Sequence, residues 1–212
     1  STCTDQPLLD EFNENGYVII RDVFDPIADF QPLMDDYTER LGEIAEQWHR
    51  EGALTSAFEG LPFDQKLIQI INETSRPWID YFNFSLPLWD VTEETPFHFP
   101  RALFNIMTKP QLLDKIEMFI GPEITANPIQ HVRIKPPQAM FAREEQHALI
   151  ARTNWHQDLG VTIEEANNTN LLTVWIPIYD STLENGSLRM IPGSHRDPLV
   201  EHCPRTDGDI EI

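Results

Sequence analysis

In the run Thr153-Asn154-Trp155-His156-Gln157-Asp158-Leu159-Gly160-Val161, a histidine and an aspartate stand two positions apart in a stretch that reads as strand. Successive strand side chains point to opposite faces, so His156 and Asp158 share one face and Gln157 takes the other. An imidazole and a carboxylate converging from one rigid strand make two thirds of a 2-His-1-carboxylate triad. That ligand set suits Fe(II) and leaves coordination positions open.

The rest of the chain divides in texture. Leu8 to Phe12 followed by Asn13-Glu14-Asn15-Gly16 reads as a short helix closed by a glycine cap. Tyr17 to Ile20 reads as a strand. Asp25 is an expected N-cap with Pro26 at the first helical position. From Ile27 to Arg50 an apolar stripe at helical spacing follows: Phe30, Leu33, Met34, Tyr37, Leu41, Ile44, Ala45 and Trp48. Further helical pieces are expected near 64–72 and 76–83, and Thr92 to Pro100 reads as loop. Gln111 to Phe119 reads as a helix stopped by Gly121-Pro122. Beyond Ile124 the pattern becomes β. Ile129 to Lys135, Leu149 to Asp158, Leu171 to Tyr179 and Ser187 to Ile191 are expected strands. Asn185-Gly186 is a hairpin turn signal.

Composition sets outer bounds. The 212 residues with 41% hydrophobic content suffice for one sizeable core. We therefore expect one domain over 1–212, helix-rich to about 122 and β-rich from about 123. The net charge of -20 excludes the basic footprint that nucleic acid requires and disfavours an anionic membrane. No window matches the roughly 18 uncharged apolar residues of a membrane span. Ser1 to Gln6 lacks the pattern of a signal peptide. Cys3 and Cys203 make no disulfide framework, so a reducing cytoplasm is the default compartment.

Three runs occur in order: Trp155 to Leu159, then Thr173-Val174-Trp175-Ile176-Pro177-Ile178, then Glu184-Asn185-Gly186-Ser187-Leu188-Arg189-Met190-Ile191-Pro192-Gly193-Ser194-His195-Arg196. Together they resemble the phytanoyl-CoA dioxygenase family. Asn15 to Phe24 looks like that family's opening strand, and Ile134-Lys135-Pro136-Pro137 like the strand before its metal motif. The resemblance implies an α+β fold: a double-stranded β-helix, or cupin-like jelly roll, with N-terminal helices packed on one sheet. It implies Fe(II), 2-oxoglutarate and O2 as cofactors, with His156 and Asp158 as metal ligands. The reaction it implies couples oxidative decarboxylation of 2-oxoglutarate to hydroxylation of a small organic substrate or acyl thioester. Trp175 matches a position beside the keto acid, and His131 a position that lines that site in some relatives. Barrel core for Trp175 and a satisfied core histidine for His131 are the competing readings. Arg133, Lys135, Arg152 and Arg189 are the basic residues nearest the motif, open to an anionic substrate, with a solvated strand face as the competing reading for each. His195 reads as part of a structural turn.

The family's third ligand is a histidine on a late strand, followed by an arginine that clamps 2-oxoglutarate. Only Arg196 to Ile212 follow His195 here. The candidates there, His202 and Arg205, sit in an acidic loop without strand alternation and match poorly. We therefore expect the last barrel strands to be missing, which leaves strand edges open. A fragment of a longer chain, a partner chain or self-association completing the barrel, and a non-catalytic jelly-roll binding module are the alternatives that follow. A cupin-like enzyme using another metal ranks below them.

Overall fold

Asp25 begins the largest helical element by supplying what a helix start lacks. Its backbone is extended, and its carboxylate accepts from the N–H groups of Ile27 at 2.9 Å and Ala28 at 2.8 Å. Two otherwise orphaned donors are thereby satisfied. The computed structural model describes residues 5–86, 90–128, 130–137, 140, 153–162, 169–204 and 210–211. These pack as two units. One comprises Asp25–Met107 and Asn127–Ala151, the other Ser1–Phe24, Thr108–Ala126 and Arg152–Ile212.

In the first unit the expected 27–50 helix is broken near its start. Pro26–Phe30 forms a wider π turn, and the regular helix α2 runs Gln31–Arg50. Pro32 explains the break, because it has no N–H to give to the Ala28 carbonyl one turn back. The predicted stripe faces the core: Leu33, Tyr37, Leu41, Ile44, Ala45 and Trp48 are all buried. Helix α3 (Phe63–Glu73) adds Leu67, Ile70 and Ile71. A 3-10 turn, Trp78–Phe82, adds Trp78, Ile79 and Phe82. Helix α4 (Arg101–Met107), which the sequence pattern did not single out, contributes Leu103 and Ile106. Tyr37 and Phe82 meet edge to face at 5.2 Å, as do Trp48 and Tyr81 at 5.7 Å. Each large apolar side chain buried this way contributes about 1.5–3 kcal/mol, which holds the unit together.

The second unit rests on two helices. Helix α1 (Gln6–Asn15) ends at Gly16, whose φ of 81° permits its N–H to reach the Phe12 carbonyl at 2.7 Å. Helix α5 (Pro110–Ile120) ends at Gly121 with φ 86°. Phe12 and Phe119 join the two helices at 4.7 Å, and Lys115 bonds Asp5 at 3.1 Å. The Gly193–Arg196 turn then closes over the end of α1. The Gly193 N–H donates to the Asn15 carbonyl at 2.8 Å, and His195 Nε2 meets the Asn13 carbonyl at 3.1 Å. Arg196 donates to the Asn13 and Glu14 carbonyls at 3.3 and 2.8 Å. These are the orphan acceptors that every helix end presents.

The expected jelly-roll strands are where the structure departs from the sequence pattern. Among the described residues the only ladder pairs β1 (Cys203–Pro204) with β2 (Ile210–Glu211), antiparallel. Residues 17–20, 130–135, 153–157, 171–179 and 187–191 form no ladder among the described residues. A sheet on which the N-terminal helices could pack is therefore not among them. Ile129, and residues 149–152 of the expected 149–158 strand, lie outside the described residues. Residues 183–186 do form the predicted turn: Ser187 N–H reaches the Thr182 carbonyl at 3.0 Å, and Asn185 Oδ1 accepts from Thr182 N–H at 2.7 Å. Alternating residue types specify which side chains share a face. A strand also needs a partner to accept its N–H groups, which a single segment's pattern does not encode.

Candidate metal centre

His156 and Asp158 come together, although not on a strand. Residues 153–157 are irregular, and Asp158 opens a 3-10 turn, Asp158–Val161. The turn is closed by Gly160 N–H on the Gln157 carbonyl at 2.9 Å and Thr162 N–H on the Leu159 carbonyl at 3.2 Å. His156 Nδ1 donates to the Asn154 carbonyl at 2.8 Å. In a neutral ring this leaves the lone pair on Nε2. That atom faces Asp158 Oδ1 at 3.0 Å. A lone pair and a carboxylate oxygen facing each other repel unless a proton or a cation lies between them. The second carboxylate oxygen, Oδ2, accepts from the Thr173 hydroxyl at 2.5 Å.

This donor set fits a divalent metal. Neighbouring ligands at about 2.1 Å from an octahedral ion stand about 3 Å apart, which is the separation seen here. The far nitrogen of the imidazole is tied to a backbone carbonyl and the far oxygen of the carboxylate to a hydroxyl, as ligating side chains usually are. Two coordination positions would thereby be supplied. Among the described residues no group of three His, Cys, Asp or Glu side chains gathers to supply a third.

Thr173 and Asn154 were not singled out in the sequence. For Thr173 a signal existed, since it lies two positions before Trp175 and so shares its face in an extended segment. Trp175 itself has 46% of its surface exposed, so the barrel-core reading does not hold among the described residues. His131 belongs to the helical unit, while His156, Asp158 and Trp175 belong to the other. Its side chain is exposed, and what burial it has, with the Arg133 guanidinium, holds its pKa below the usual imidazole value. Arg189 lies over the Trp155 ring at 5.2 Å, next to His156 in the chain. Arg152 and Arg205 lie outside the described residues. His195 is part of the turn that caps α1 and stands apart from His156, as its structural reading implies.

His202 is the surprise of the site. Its Nε2 accepts from the Gln157 N–H at 2.8 Å, and its Nδ1 meets the Val200 carbonyl at 2.8 Å. Both nitrogens are thus engaged beside the His156–Asp158 pair.

The profile of the family described as Phytanoyl-CoA dioxygenase (PhyH) matches residues 12–211. The bovine protein named Phytanoyl-CoA dioxygenase, peroxisomal, is 29% identical over 123 residues, which are 58% of this chain and 34% of the relative. The human protein of the same name is 27% identical over 121 residues, 57% of this chain and 33% of the relative. The matched stretch thus spans about a third of these relatives' own length. No solved structure matches the chain at a significant level. With the family profile running through nearly all of the sequence and across His156, Asp158 and Trp175, the chain belongs to the phytanoyl-CoA dioxygenase family.

Proposed function

We propose that the chain carries the metal-binding part of an Fe(II)- and 2-oxoglutarate-dependent dioxygenase. Its substrate would be a small organic molecule or an acyl thioester. The observation that carries this reading is the 3.0 Å approach of His156 Nε2 to Asp158 Oδ1, with both side chains oriented from behind. When bound, Fe(II) with 2-oxoglutarate and O2 supplies the oxidising power, with decarboxylation of the keto acid coupled to oxidation of a substrate C–H. The chain's own residues do the placing. His156 presents a neutral nitrogen because Asn154 holds its proton on the other side. Asp158 presents one oxygen because Thr173 occupies the other. Trp175 provides an exposed aromatic surface two residues from Thr173, suited to line the keto-acid site. The names of the relatives point to an acyl thioester. A net charge of -20 means that such an anion needs local cations, and Arg189 beside Trp155 is one. The jelly roll belongs to this proposal as the framework into which residues 171–191 would pair.

A second reading is favoured by the engagement of both His202 nitrogens. With both His202 nitrogens engaged and no third ligand gathered among the described residues, the second reading is a non-catalytic binding module, or a stretch that needs a further segment or partner chain for activity. Anaerobic Fe(II) and 2-oxoglutarate binding separates the readings, followed by measurement of succinate formed in air. Metal-dependent succinate that disappears in His156→Ala supports the dioxygenase. Fe(II) binding without succinate supports the second reading. If a longer chain carrying the family's late strands binds neither Fe(II) nor 2-oxoglutarate, the dioxygenase reading fails.

A further inference from the structure

Gln157, the residue between His156 and Asp158, is tied to the 198–202 segment. Its N–H belongs to the peptide that joins it to His156, and this N–H donates to His202 Nε2 at 2.8 Å. Its side-chain Oε1 accepts from the Val200 N–H at 2.8 Å, and its Nε2 reaches the Pro198 carbonyl at 3.5 Å. A backbone N–H can only donate, so His202 Nε2 must be the acceptor. The ring proton then sits on Nδ1 and donates to the Val200 carbonyl at 2.8 Å. The ring lies directly on Gly160. A Cβ built there would fall 2.1 Å from Cε1 and 2.3 Å from Nδ1 of His202, closer than any real contact. Glycine at 160 is what lets the imidazole in.

From this we infer that Pro198–His202 is a brace for the metal loop and that His202 is its positioning residue rather than a ligand. The inference rests on the metal reading proposed above. Fixing the His156–Gln157 peptide fixes the backbone angles on both sides of it, and with them the directions in which His156 and Asp158 project. A loop held only by its own 3-10 turn would let the two donor atoms drift. Losing an outer partner of this kind commonly weakens a metal site on the order of 10–100-fold.

Two measurements on the whole chain test the brace. The first needs no metal: a through-hydrogen-bond NMR coupling between the Gln157 amide nitrogen and His202 Nε2. It is expected in the native chain and absent in Gly160→Ala, where the new methyl displaces the ring. Its absence from the native chain overturns the inference. The second is titration with Co(II) alone, followed by its visible absorption, with thermal midpoints recorded in parallel. His202→Ala is expected to weaken Co(II) binding on the order of 10-fold or more. His202→Gln, whose amide oxygen can also accept from the Gln157 N–H, is expected to recover most of that loss. Unchanged affinity in His202→Ala overturns the brace. So does a His202→Gln variant as weak as His202→Ala, because His202 would then be a ligand. A native chain that takes up no Co(II) sinks the metal reading instead, and the brace then stands or falls on the coupling.

Discussion

Asp158 divides its two oxygens, one toward His156 and one toward the Thr173 hydroxyl. Thr173→Val keeps the shape of the side chain and removes that hydroxyl. It is expected to weaken Fe(II) binding on the order of 10-fold while the thermal midpoint changes little. Equal affinity in anaerobic titration would show that the hydroxyl does not orient the carboxylate. Tyr37 makes a different kind of residue-scale statement. Its hydroxyl is buried and finds no hydrogen-bond partner among the described residues. Burial first, and the Asp36 carboxylate second, push its pKa far above the ordinary 10.0. The folded state therefore holds the phenol protonated where the unfolded chain ionises. This contribution is complete below pH 10 and is lost as pH rises toward the folded value. Tyr37→Phe is expected to be neutral or stabilising at pH 7, within about 1 kcal/mol, and to flatten the fall in stability above pH 10. Urea unfolding at pH 7 and pH 11 reads both, and a loss of several kcal/mol at pH 7 would reveal a hidden partner for the hydroxyl. At this scale the nearness of His156 and Asp158 was readable from spacing, although an irregular segment running into a 3-10 turn, rather than the expected strand, brings them together. Thr173 was marked only by sharing a face with Trp175, and neither its bond to Asp158 nor that of His202 to Gln157 was readable, because each acts across a gap in the chain.

Between elements, the most informative join is the Gly193–Arg196 turn on the end of α1. Gly16 makes it possible twice over: its φ of 81° closes the helix, and its missing Cβ leaves room for His195. A Cβ at Gly16 would fall 2.5 Å from His195 Nδ1, whereas one at Gly52, with φ 75°, meets nothing within 4 Å. Both Gly→Ala substitutions incur the left-handed strain of about 1–2 kcal/mol. Gly16→Ala should cost clearly more than Gly52→Ala in urea unfolding, because it also displaces the His195 turn. Equal costs would mean the turn is not docked on the helix. The helices themselves were legible, since α2, α3 and α5 each carry an apolar stripe and a proline or glycine boundary. The π turn before α2 follows from Pro32. The strands were legible only as alternation. Residues 171–191 leave Val174, Trp175, Tyr179, Leu188, Met190 and Ile191 more than a third exposed, the condition of strand-like segments without a facing layer.

For the whole molecule, charge dominates. With 15 basic side chains against 35 acidic ones, the folded chain repels itself. Raising NaCl from 0.05 M to about 1 M shortens the screening length from over 10 Å to about 3 Å. The thermal midpoint is expected to rise by several degrees, and a flat or falling midpoint would show that surface pairing already offsets the repulsion. No helix among the described residues is long and apolar enough to cross a membrane. Local chemistry in the sequence was enough to place α1, α2, α3 and α5, their proline and glycine boundaries, the 183–186 turn and the nearness of His156 to Asp158. Each depends on residues within one or two turns of one another. Tertiary structure alone decided that His202 supports Gln157 and that Thr173 holds Asp158. It also decided that His195 caps α1 and that the β-patterned segments lie without ladders among the described residues. Those outcomes turn on hydrogen-bond partners distant along the chain, and a partner is a property of where two segments meet.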